Sequence, residues 1–168
     1  MTSKGLPLSA SLENQRDTLV KKWIDEMLRS YPETTTGFLN REKDRFRNPI
    51  GHTVKESLSV LFEGLIQTKE LASLTPVLDE VVKLRAVQDF TAGQAVSFPF
   101  LLKKIIREEC KADCTRCPDE FADLEARIDE LTLLAFELYV KCRERLFEIK
   151  YNEAKRSMFM SERAHPTP

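Results

Sequence analysis

The sequence predicts an all-α fold: a single helical domain of about five helices that ends in one long helix. Three observations carry this expectation. Five glycines in 168 residues and only short β-branched runs leave little material for the turns and strands of a sheet. Apolar residues recur, segment after segment, at the 3.6-residue period of a helix with one buried face. From Pro118 onward neither proline nor glycine interrupts the chain for roughly 40 residues, about 60 Å if the helix is continuous. The domain is expected over residues 9–158, between a flexible N-terminus (1–8) and a flexible tail (159–168).

The first helix is expected from about Ser9 to Ser30, because Leu12, Leu19, Val20, Trp23, Ile24, Met27 and Leu28 share one stripe. Pro32 and the run Thr34-Thr35-Thr36-Gly37 end it. Asn48 is a good N-cap for the second helix, and Pro49 suits its first position, where the missing N–H is not needed. That helix turns Ile50, Val54, Leu58, Leu61, Phe62 and Leu65 inward. Thr75 as cap and Pro76 in the first turn mark the third helix, with Val77, Leu78, Val81, Val82, Leu84 and Val87 as its apolar face. Asp89-Phe90 closes it. Thr91 and Gln94 match a Thr-x-x-Gln capping box and open a fourth helix that reaches Glu109.

The last helix begins favourably at Pro118, Asp119 and Glu120, with acidic groups at the positive end of the dipole. Phe121, Leu124, Ile128, Leu131, Ala135, Leu138 and Cys142 form a heptad-like seam. Leu133, Leu134, Phe136, Tyr139 and Val140 add apolar residues around it. A helix apolar on every side is buried on every side. One face is expected to pack into its own domain and the other to meet a second copy, making a homodimer. The alternative is a large monomeric core.

Composition narrows the function classes. Hydrophobic content of 42% with charged content of 32% describes a soluble helical protein. A net charge of −1 lacks the basic footprint of nucleic-acid binding. No stretch approaches the ~20 apolar residues of a membrane-spanning helix. Met1 to Leu8 lacks the apolar segment of a signal peptide, so a cytoplasmic location is expected. Nucleophilic triads and phosphate loops of the Gly-x-x-x-x-Gly-Lys type are absent, and an enzyme is not expected.

Three segments stand out: Phe-x-Asn-Pro-Ile-Gly from Phe46 to Gly51, Arg-Ala-Val-Gln-Asp-Phe-Thr from Arg85 to Thr91, and Ala-Val-x-Phe from Ala95 to Phe98. Through them the chain, from about Leu12 to Tyr151, resembles the N-terminal sensor-type domain of RsbT co-antagonist proteins, the input domain of stressosome-like stress regulators. The resemblance implies a helical, globin-like bundle that binds no haem and usually precedes an output module, a STAS domain or a kinase. Here the chain stops shortly after its long helix. A stand-alone sensor or interaction module is therefore expected, acting on a separate protein output partner.

The same segments supply the candidate ligand-binding residues Asn48, Gly51, His52, Arg85, Gln88 and Asp89. Free N–H groups at the helix start after Asn48 suit an anion, and His52 adds a charge that switches near neutral pH. The structural alternative is that Asn48 caps, Gly51 allows close packing, and Arg85, Gln88 and Asp89 tie two loops together. A small ligand of unspecified identity is the partner these residues suggest.

Cys110, Cys114 and Cys117 place three thiols within eight residues, a spacing that suits zinc or an Fe–S cluster. The alternative function is a small metal- or Fe–S-binding redox protein; incidental thiols or a redox disulfide are the other options. Cys142 lies about 35 Å along the last helix and cannot supply a fourth ligand within one chain. The radical-SAM class that shares the spacing needs a large α/β barrel, for which strands and length are lacking. Only His52 and His165 are available as imidazole ligands, which leaves haem without a proximal ligand in a helical pocket. A di-iron bundle wants two Glu-x-x-His motifs, and only Glu162 to His165 fits. No cofactor is expected on balance.

Overall fold

Helix breaks in this chain fall where proline removes a donor or where tethered ends pull a helix aside, and the apolar stripes between them converge on one core. The computed structural model describes residues 7–31, 49–88 and 90–164. Among these residues there are eight helices and no strand: α1 (Leu8–Asn14), α2 (Arg16–Arg29), α3 (Pro49–Ile66), α4 (Leu71–Ala86), α5 (Ala92–Val96), α6 (Phe98–Glu109), α7 (Lys111–Arg116) and α8 (Pro118–Ala164). The all-α class stands. The count exceeds the five expected because two of those helices are interrupted and the cysteine segment forms a short helix of its own.

The expected first helix bends at Gln15, yet helical hydrogen bonds bridge the bend, with Gln15 N–H donating to Ser11 O at 3.2 Å and Leu19 N–H to Gln15 O at 3.0 Å. The α1 side is tethered to α7 and the start of α8. Leu8 N–H donates to Glu120 Oε2 at 2.7 Å and Ser11 Oγ bonds Asp113 Oδ2. The bend lets α1 bury Leu8 and Leu12 while α2 buries the predicted stripe from Leu19 to Leu28.

Helix α3 starts at Pro49, as its sequence requires, and buries Val54, Leu58, Leu61, Phe62 and Leu65. Asn48 lies outside the described residues. Helix α4 begins earlier than expected, at Leu71, so Thr75 and Pro76 sit inside it and are not its cap. The reason is Leu74, buried at 3% exposure against Gly64 of α3. A Cβ on Gly64 would lie 2.4 Å from Leu74 Cδ2, so the glycine sets how closely α3 and α4 approach. Burying Leu74 draws an extra turn into the helix, and the Pro76 ring is left exposed on its outer side. Val87 was expected inside but is 64% exposed, because it caps the helix beyond the last buried turn.

The predicted capping box is present: Thr91 Oγ1 accepts from Gln94 N–H at 3.3 Å and Thr91 N–H donates to Gln94 Oε1 at 3.0 Å. Thr91→Ala is expected to lower stability by about 1 kcal/mol, read from the midpoint of urea unfolding at unchanged slope. The helix it opens breaks at Ser97, since Pro99 in the first turn of α6 has no N–H to give the Ala95 carbonyl.

Helix α8 lies across α4, α5 and α6 and buries Leu124, Ile128, Leu131, Ala135 and Tyr139 of its predicted seam and surroundings. From Phe147 to Met160 every residue is exposed, so the helix runs beyond the core. It continues to Ala164, past residue 159, where the tail was expected to begin. Among the described residues no helix is long and apolar enough to cross a membrane.

Candidate functional site

The Arg85 guanidinium is 1% exposed and sits where three helix ends meet. Its Nε donates to Ala95 O at 2.9 Å and its Nη2 to Gln94 O at 2.8 Å, so it serves the carbonyls stranded by the α5–α6 break. Both Nη atoms also donate to Ser30 Oγ at 3.1 Å, at the C-terminus of α2. The rings of Phe90 and Tyr31 face the cation at 4.3 and 5.1 Å from its carbon. Those rings meet edge to face, 5.2 Å apart. Among the described residues no carboxylate pairs with Arg85. Burial pulls its pKa down and pushes the Tyr31 phenol up, and the proximity of each to the other offsets part of both shifts. A cation held by carbonyls and aromatic faces fixes geometry between helices.

The other predicted ligand residues are distributed around this junction and the start of α3. Asn48 and Asp89 lie outside the described residues. Gly51 is buried in α3. His52 Nε2 is 3.1 Å from Glu56 Oε1, one turn on, without hydrogen-bond geometry. Gln88 Oε1 is buried and also accepts no hydrogen bond. Phe90 belongs to the same motif as Arg85, but the sequence offered no sign that Ser30 and Tyr31 would join them, since these come from a distant segment.

The cysteine segment is a helical corner. Cys110 ends α6 at 2% exposure, while Cys114 and Cys117 are half-buried on α7 and its end. Among the described residues no group of three or more His, Cys, Asp and Glu side chains is arranged to hold a metal ion. Burial pushes the Cys110 thiol up to about 11 and also raises that of Cys114, with Asp113 and neighbouring groups adding to it. A thiol held in its protonated form is a poor nucleophile and ligand. Below the ordinary thiol range both folded and unfolded chains keep the Cys110 proton. Between that range and about 11 the unfolded chain releases it first, so stability is expected to fall as pH rises through this window. Alkaline unfolding of Cys110→Ala should lack that contribution. Equal alkaline slopes for both proteins would refute the assignment.

A further feature lies on α8. Leu133, Phe136, Val140, Phe147, Tyr151, Ala154 and Met158 follow one another at steps of three, four, seven, four, three and four residues. All are exposed, Leu133 at 67% and Phe147 at 71%, on the side of the helix opposite the buried seam. The predicted seam proved to be the face turned into the domain. This second stripe was legible in the same spacing from Leu133 onward, but only burial separates the two.

Comparison with known proteins finds a family match over most of the chain. The model of the RsbT co-antagonist protein rsbRD N-terminal domain matches residues 17–153. An uncharacterized protein of Archaeoglobus fulgidus is 22% identical over 150 residues, covering 86% of this chain and 88% of its own. No solved structure matches the chain.

Proposed function

Because the chain belongs to the family of the RsbT co-antagonist protein rsbRD N-terminal domain, a regulatory family of stress signalling, we propose that it is a non-enzymatic cytoplasmic regulatory module, a homodimer built on α8 that signals to a separate protein. The carrying observation is the exposed stripe from Leu133 to Met158. Seven apolar residues in a three–four pattern leave a helix with a seam and no partner for it within the described domain. Packing two such helices side by side removes the stripe from water. Two pairings separated by a few kcal/mol supply the switch, with a change in one domain repacking the shared helices.

The input side of the proposal is the pair of polar segments. Gln88 Oε1, three residues from Arg85, is a buried polar atom without a hydrogen-bond partner, which supports a small ligand there. Arg85 is already engaged and holds the walls of that region in place.

Sedimentation tests the dimer. The wild-type chain is expected to sediment at about twice 19.4 kDa at micromolar concentration, and the double variant Val140→Glu, Phe147→Glu as a folded monomer. Both positions are exposed, so the variant's helical circular dichroism should be unchanged. A monomeric wild-type protein would discard the dimer.

A further inference from the structure

A different side of α8 carries a second surface. Thr75, Asp79, Lys83 and Val87 form an every-fourth-residue ridge on α4, and Leu138, Cys142 and Leu146 form another on α8. Between the ridges runs an open groove of about 520 Å³. The α4 wall is about three helical turns long, roughly 18 Å, and the α8 wall about two, roughly 12 Å. Two parallel ridges of this spacing accept the ridge of a third helix, and the length suits apolar anchors at i, i+3 or i+4, and i+7.

Charge selects the occupant. Lys83 is paired with Asp79 in its own helix. Lys141 and Arg145, one turn apart on the α8 rim, are exposed and make no ion pair among the described residues. The groove is therefore apolar along its α8 ridge and carries along one edge two cations without a close ion-pair partner among the described residues. We propose that it binds an acidic amphipathic helix of a partner protein, apolar residues inward and carboxylates against Lys141 and Arg145. The proposal deepens the regulatory reading above, on which it rests for the need of a separate output partner, and it uses a face of α8 distinct from the Leu133–Met158 stripe.

The probe is a synthetic helical peptide of about 18 residues, with leucines at the i, i+3, i+4, i+7 spacing and glutamates elsewhere. A second peptide carries lysines in place of the glutamates. Binding to the full chain is followed by fluorescence anisotropy and by the alkylation rate of Cys142, read by mass spectrometry. The acidic peptide is expected to bind in a salt-sensitive manner and to slow Cys142 alkylation. The double variant Lys141→Glu, Arg145→Glu should weaken it about tenfold or more, and the basic peptide should not bind the wild-type groove. Absent binding, equal binding of both peptides, or an unaffected double variant overturns the proposal. So does Cys142 protection that grows with protein concentration alone, which would place a second copy in the groove. Repeating the titration on Val140→Glu, Phe147→Glu separates the two readings. Binding retained by a chain whose wild type is monomeric keeps the groove and discards the dimer; a dimeric wild type that ignores the peptide does the reverse.

Discussion

Trp23→Ala is expected to remove about 3–5 kcal/mol of stability, a large part of the roughly 5–15 kcal/mol that holds a domain of this kind together. Trp23 is fully buried, and its ring stacks on Phe98 with centroids 6.3 Å apart. Its Nε1–H also donates to Phe98 O at 2.7 Å. That carbonyl belongs to the first turn of α6, immediately after the α5–α6 break. Alanine would therefore open a cavity between α2 and α6 and remove one donor from that carbonyl. Trp23→Phe separates the two effects: it keeps most of the ring and loses the donor, for an expected loss of about 1–3 kcal/mol. Urea unfolding followed by circular dichroism measures both, since Trp23 is the sole tryptophan and its fluorescence disappears with it. A loss below about 1 kcal/mol for Trp23→Ala would mean that the α2–α6 contact carries little of the fold.

Arg85→Met should lower stability by about 1–3 kcal/mol, because the buried Ala95 carbonyl would lose its donor while Gln94 O keeps only the Ser97 hydroxyl. Methionine fills much of the same volume, so the loss reports hydrogen bonding and cation–aromatic contact more than a cavity. Arg85→Lys is expected to recover little. A single ammonium cannot reproduce a planar fork that reaches two carbonyls and Ser30 while lying against Phe90 and Tyr31. Were the residue chiefly a ligand contact, both variants would keep wild-type unfolding midpoints and lose only effector binding. Thermal unfolding alongside the urea series decides between these outcomes.

Much of the fold was legible because helical periodicity and capping are local properties. The stripe of α2, the start of α3 at Pro49 and the Thr91–Gln94 box all depend on residues within a few positions of one another. The errors fell where distant packing intervened. Thr75 and Pro76 look like a helix start in isolation, but burial of Leu74 against Gly64 moves the start to Leu71. Val87 continues an apolar face on paper and lies outside because the helix ends beneath it. The candidate site shows the same division. Arg85 and Phe90 were conspicuous in one motif, whereas their partners Ser30 and Tyr31 were not, since nothing local connects them.

By itself the sequence determined the all-α class, the long last helix and the resemblance to its family, since each is written in short-range spacing and short motifs. Tertiary structure decided which face of α8 is buried and which is left open, because two apolar stripes on one helix look alike until a core covers one of them. It also decided that Arg85 completes a broken helix and that, among the described residues, the three cysteines form no metal-holding group. Hydrogen bonding and coordination both require atoms from different segments to meet at a point, and where segments meet is set by the packing of the whole core.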